Sequence, residues 1–194
     1  MTWDFQDFRL RLDDAITYHG SEAAWRIAGQ ALEAARSTES LGEMMYFAAQ
    51  LAMLEEDYEQ AVRYLRNAIT ANPRDGAAYN DLALCKAEAG RLDEALALFD
   101  KGISVEPDFA TIHHNKGWLL SKMGYYRKAI VFFQEALRLD PGRAVTYENL
   151  ADTYAHLHQF ELAITACRKA LEVLKPGCPD IRQQLEDKLD ELQS

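Results

Sequence analysis

Apolar residues in this chain recur three and four apart, the spacing of one face of an α-helix, and that pattern itself repeats every 34 residues. Pro73, Pro107 and Pro141 share the period. So do Ala61, Ala95, Ala129 and Ala163; Ala49, Ala83, Gly117 and Ala151; Ala68, Gly102, Ala136 and Ala170; and the ring-rich set Tyr58, Leu92, Tyr126 and Phe160. Each unit reads as two helices. In residues 76–109, the apolar face running from Ala78 to Ala87 is stopped by Gly90. Asp93 and Glu94 open a second helix, with carboxylates where its N-terminal dipole favours them. Leu92, Ala95, Leu96, Phe99 and Ile103 form that helix's stripe, and Pro107 ends the unit because it cannot continue a helix. The small columns predict close crossing of the two helices in a pair, and Phe99 and Phe133 fill the space between layers. Strands are not expected, because β-branched alternation is absent.

The period gives a frame for the whole chain. Residues 1–41 read as a degenerate helical pair or N-terminal cap, broken near His19-Gly20, with Ala24, Ala28 and Ala31 where a second helix needs small residues. Four clear repeats follow at 42–75, 76–109, 110–143 and 144–177. After Pro176-Gly177-Cys178-Pro179, Ile181, Leu185, Leu189 and Leu192 lie on one face of a charged helix, so 178–194 reads as a cap over the last apolar surface. All of these belong to one predicted domain.

These columns resemble the tetratricopeptide repeat family, whose motif runs from an aromatic through Leu-Gly and Tyr to Ala, Phe, Ala and a closing Pro. Tyr79, Leu82, Ala83, Gly90, Ala95, Phe99 and Pro107 carry it best. Gly117, Gly124, Tyr126, Ala129, Phe133, Ala136 and Pro141 carry it in the next unit. Tyr147, Leu150, Ala151, Tyr154, Phe160, Ala163 and Ala170 follow, with departures at Cys167 and at Pro176, one residue late. Ala49, Tyr58, Ala61, Leu65, Ala68 and Pro73 carry the first. The resemblance covers 42–177. It implies an all-α, right-handed α-solenoid of stacked antiparallel helix pairs, in which the first helices line a concave groove. The residues it assigns to that groove are Tyr46, Gln50, Met53, Asn80, Asp81, Leu84, His114, Asn115, Trp118, Glu148, Asn149 and Asp152, with Ala87, Ser121 and Ala155 a turn further on. In some members an asparagine in the column of Asp81, Asn115 and Asn149 bonds a peptide backbone, and an amide offers both a donor and an acceptor for that. Trp118 is the best anchor in the set, with large apolar area and one N–H donor. Some members hold acidic C-terminal tails through a clamp of cations and asparagines. The matching columns here supply no cations, so such a clamp is disfavoured.

Composition narrows the chemistry. The chain has 194 residues, 48% hydrophobic and 27% charged, a globular balance. Its net charge of −10 repels phosphate backbones and anionic membranes, so neither nucleic acid nor a membrane is a predicted partner. No apolar stretch approaches the ~20 residues that span a bilayer, and the start lacks the basic head and apolar run of a signal peptide. Three cysteines without C-x-x-C suggest a reducing compartment, and the expected location is cytoplasmic. Cys85 and Cys167 fall in packing columns, and Cys178 in a loop where it is open to reaction. Residues 110–143 carry six Lys or Arg against two acids, and 76–109 three against seven. Arg127, Lys128, Arg138 and Arg143 of the basic unit are expected mostly on the convex side.

No phosphate loop, dinucleotide fingerprint, zinc-protease motif or nucleophile elbow is present, so no enzyme, catalytic residue or cofactor is predicted. Adjacent His113 and His114 point about 100° apart on a helix, and His156 and His158 straddle a helix end, so no metal site is predicted. The chain reads as a scaffold that docks a protein or peptide ligand of apolar, basic or neutral character, since no lysine is expected at the groove's central positions beside Asp81, Glu148 and Asp152. The alternative is a self-assembly module that dimerises through its N-terminal pair or last helix.

Overall fold

The computed structural model describes residues 3–193, and every regular element among them is helical. They form two compact units that divide after Pro107. The first holds α1 (Phe5–Asp14), α2 (Ser21–Ser37), α3 (Leu41–Leu54), α4 (Tyr58–Ala71), α5 (Gly76–Glu88) and α6 (Leu92–Val105). A π-helical turn, Ala15–His19, prolongs α1 to Gly20, whose φ of +83° breaks the chain at the position expected. The second unit holds α7 (Ala110–Lys122), α8 (Tyr126–Leu139), α9 (Ala144–His156), α10 (Phe160–Val173) and α11 (Pro179–Gln193). Within each unit successive helices pair and stack, the layering of an α-solenoid.

One turn geometry recurs with the sequence period. Glu56, Gly90, Gly124 and His158 all take the left-handed conformation, at φ +60°, +71°, +80° and +57°. The following N–H groups of Asp57, Arg91, Tyr125 and Gln159 bond back to the carbonyls of Ala52, Lys86, Leu120 and Tyr154 at 2.8–3.0 Å. This is the six-to-one closure that satisfies the last carbonyls of a helix. Glycine adopts it freely. Glu56 and His158 carry a cost of roughly 1–2 kcal/mol each for the same turn.

The small columns lie at the helix crossings. Ala49, Ala83 and Ala151 are fully buried, as are Ala61, Ala95, Ala129 and Ala163. At Gly117 a Cβ would lie 2.9 Å from the Phe133 ring and 3.2 Å from the Ala129 carbonyl. Phe99 and Phe133 are fully enclosed. In the first pair Ala24, Ala28 and Ala31 are buried too. At the other end α11 lays Leu185 against α10, where the Leu185 carbonyl accepts from Cys167 Sγ at 3.2 Å. Cys178 corrects an expectation: it is buried, so it is not the open loop thiol its flanking prolines and glycine suggested. No helix among the described residues is long and apolar enough to cross a membrane.

Candidate partner-binding site

The twelve residues assigned to the groove fall into two groups, one in each unit. In the first unit Tyr46, Gln50, Asn80 and Asp81 are brought together and buried, while Met53 and Leu84 stay half-buried. Asp81 is the centre. It accepts from Gln50 Nε2 at 2.5 Å and from Asn80 Nδ2 at 2.8 Å. Arg9 of α1 lies over the Tyr46 ring, 3.8 Å from its centroid. It reaches Asp75 through two bonds of 2.7 and 2.8 Å and Glu43 at 3.1 Å. Arg9 and Glu43 stand 34 residues apart in the same column, a signal that sequence reasoning did not use. Satisfied by their own chain, these polar groups have little left to offer a ligand.

Burial pushes the Asp81 carboxyl up to about 6, against the pull of Asn80, Gln50 and Tyr46. Because the folded value exceeds the unfolded one, folding takes up a proton between them. Asp81 therefore contributes stability below pH ~4 that is lost as pH rises through 6, about 2–3 kcal/mol in all. Asp81→Asn is expected to flatten this slope. Urea midpoints of the variant and the wild type should converge towards pH 4 and part towards pH 7, the variant being the more resistant. Parallel curves would show that Asp81 titrates normally.

In the second unit His114 is buried, its Nδ1 2.9 Å from the Thr146 hydroxyl and its ring tilted on Phe133. Burial, with help from Arg143, pushes it down to about 3, so the imidazole is neutral at physiological pH. Asn115, Trp118, Glu148, Asn149 and Asp152 keep partial exposure. Trp118, Asn149 and Asp152 line an open cleft of about 480 Å³ with Ser121, Lys122, Tyr126, Ala155 and His156. The His156 ring stacks on Tyr126 at 4.8 Å and 12°, making a flat aromatic wall. The Asn149 side-chain amide has no bond among the described residues, whereas its backbone carbonyl accepts from Thr153 at 2.7 Å. Lys122 and His156 share a column, one residue beyond Ser121 and Ala155, and that spacing could have found both.

Lys188 corrects the picture of an unrelieved acidic wall. Its Nζ, carried in by α11, lies 2.9 Å from both Glu148 and Asp152. Burial alone would lower its pKa, but its bonds to Glu148 and Asp152 hold it above the usual lysine value. The sequence hid this contact because α11 reads as a cap and not as a groove helix. The histidines are otherwise engaged: His113 stacks on Phe132, and His158 meets the edge of Phe160. Among the described residues no three potential metal ligands converge.

Comparison with known proteins agrees with these columns. Tetratricopeptide repeat models match residues 52–116, 110–143 and 132–165, together more than half of the chain. Protein FlbA of Caulobacter vibrioides is 30% identical over 122 residues, 63% of this chain and 20% of its own length. Hsp70-Hsp90 organizing protein 3 of Arabidopsis thaliana is 37% identical over 87 residues, 45% of this chain and 16% of its own. The chain thus spans about a fifth or less of the length of these relatives. A thermophilic TPR protein of Thermus thermophilus, TTC0263, superposes with a TM-score of 0.74 at 20% identity, covering 95% of this chain and 98% of that one.

Proposed function

The chain belongs to the tetratricopeptide repeat family, and from that premise we propose that it is a protein-interaction scaffold whose working site is the aromatic cleft of the second unit. The observation that carries this reading is the cleft itself, lined by Trp118, by the Tyr126–His156 stack and by Asn149, whose side-chain amide has no bond among the described residues. An apolar or aromatic side chain of a peptide or helix finds in it three aromatic surfaces to seat against. The Asn149 amide then addresses the ligand backbone as donor and acceptor. The similarity to a chaperone-organizing protein supports a role in holding other proteins.

Electrostatics refine the ligand. With Lys188 shared between Glu148 and Asp152, and Lys122 among the lining residues, two ammonium groups stand against two carboxylates and the charge balances. A neutral ligand with one large apolar anchor therefore fits better than a strongly basic one, because the acids are already paired. The four buried polar residues of the first unit are left out of this site.

The experiment is selection of a random peptide library on the full chain. Enriched peptides should share an aromatic or large aliphatic residue and carry little net charge. Trp118→Ala should weaken them by about 2 kcal/mol, roughly thirtyfold, as loss of an interface anchor does. Peptides that bind Trp118→Ala as they bind wild type, yet fail on the convex variant Arg127→Glu, would move the site off the cleft.

A further inference from the structure

We propose that the outer face of α2 is a docking surface for a second copy of this chain, packed antiparallel across a two-fold axis at Gly29. This surface is separate from the cleft and does not depend on it.

At one position this face carries a tryptophan where the other second helices carry a charge. Trp25 occupies the column of Glu59, Asp93, Arg127 and Glu161, every one of them solvent-exposed, and is itself 40% exposed. Trp3, 43% exposed, stands further along the helix, where its Nε1 donates to Ser37 Oγ at 3.2 Å. Together with Phe8 and Ala34 they border an open hollow of about 740 Å³, with Arg11, Arg26 and Glu33 on its rim. Two tryptophans half-open to water at one hollow mark an interface and not a solvated face.

The charges identify the occupant. Along the exposed face of α2 they run Glu22, Arg26, Glu33, Arg36, with Gly29 midway between Glu22 and Arg36; Arg36 bonds Glu33 at 2.6 Å within the helix, an exposed pair that exchanges partners at little cost. Laid antiparallel on its own copy about Gly29, the helix sets Glu22 against Arg36 of the second copy and Arg26 against its Glu33. Each pair occurs twice. Parallel pairing would instead set Glu22 on Glu22 and Arg26 on Arg26. The charge order is thus self-complementary in one direction only, which is what an isologous contact requires.

Gly29 suits the same crossing. A glycine inside a helix costs about 1 kcal/mol relative to alanine. Among the described residues, nothing beyond its chain neighbours and its own helix backbone lies within 4 Å of where a Cβ would stand, so their packing does not call for it. At the crossing point of two α2 helices its missing side chain lets the backbones approach, and Trp25 then reaches the partner's side of the hollow.

The test is the mass of the full chain in solution across a wide concentration range, by sedimentation equilibrium. The expected result is a rise from 22.0 kDa towards twice that value. Arg26→Glu and Trp25→Ser should each weaken self-association about tenfold or more, and Arg26→Glu combined with Glu33→Arg should recover most of the loss caused by the single reversal. Circular dichroism should show all variants as helical as wild type, because the three altered positions are exposed. Arg127→Glu, on another second helix, should leave the mass unchanged. A chain that stays at 22.0 kDa at every concentration overturns the proposal. So does an oligomer indifferent to Arg26→Glu and Trp25→Ser, or a charge swap without recovery.

Discussion

Phe133→Ala is expected to lower the stability of the second unit by about 3–5 kcal/mol, because the ring is fully enclosed and its removal leaves a cavity at a crossing that cannot close. The crossing is set by Gly117, whose missing side chain lets the ring edge approach to within 3 Å of where a Cβ would stand. Gly117→Ala therefore meets two opposed effects. Better helix propensity contributes up to about 1 kcal/mol. Overpacking against Phe133 and the Ala129 carbonyl costs about 1–3 kcal/mol, and the carbonyl, being backbone, cannot swing away. The net should be a loss. The same two columns hold Ala49 with Leu65 in one repeat and Ala83 with Phe99 in another, all fully buried, so what an alanine violates here is the 2.9 Å approach of this particular ring, which a smaller side chain relieves. Gly117→Ala combined with Phe133→Leu should therefore be more stable than the sum of the single changes predicts. Urea unfolding of the four proteins makes the cycle, and strict additivity would show that Gly117 and Phe133 do not meet as the structure has them.

The fold was legible because its determinants repeat. A small residue at each crossing and a left-handed residue after each first helix recur every 34 residues through four repeats, and a ring fills the space between layers in two of them, so each occurrence checks the others. Gly90 and Gly124 announced their turns by residue type, while Glu56 and His158 make the same turn without the glycine that favours its left-handed conformation. The site was less legible, because groove membership is a column property and exposure is not. Tyr46, Asn80 and His114 share a column with Glu148, yet the first three are buried and Glu148 keeps partial exposure. What buries Tyr46 includes Arg9, from a pair whose match to the repeat motif is loose. What relieves Glu148 and Asp152 is Lys188, from a helix read only as a cap. Both cations come from the ends of the chain, where the period gives least guidance.

Arg9→Ala is expected to cost about 3–5 kcal/mol, the usual consequence of removing one partner from a buried ion pair. The loss falls mainly on Asp75, whose side chain is only 5% exposed. That carboxylate also caps α5, where its Oδ1 accepts from the Ala78 N–H at 3.0 Å. Left without the guanidinium, it remains buried and charged, so the cap and the ion pair weaken together. Glu43, more exposed, recovers part of its loss by hydration. Arg9→Lys should fall between alanine and wild type, because an ammonium keeps the charge but loses both the bidentate fork on Asp75 and the stacking on Tyr46. Arg9→Met with Asp75→Asn tests the cause. The thioether keeps most of the volume over Tyr46, and the amide oxygen keeps the cap, while the buried charge disappears. If the unpaired carboxylate is what costs, the double variant should be clearly more stable than Arg9→Ala, and hydrogen exchange in α1 and at the start of α5 should return towards wild type. If it unfolds at the same urea concentration as Arg9→Ala, the contribution of Arg9 is packing on Tyr46, and the ion pair to Asp75 adds little.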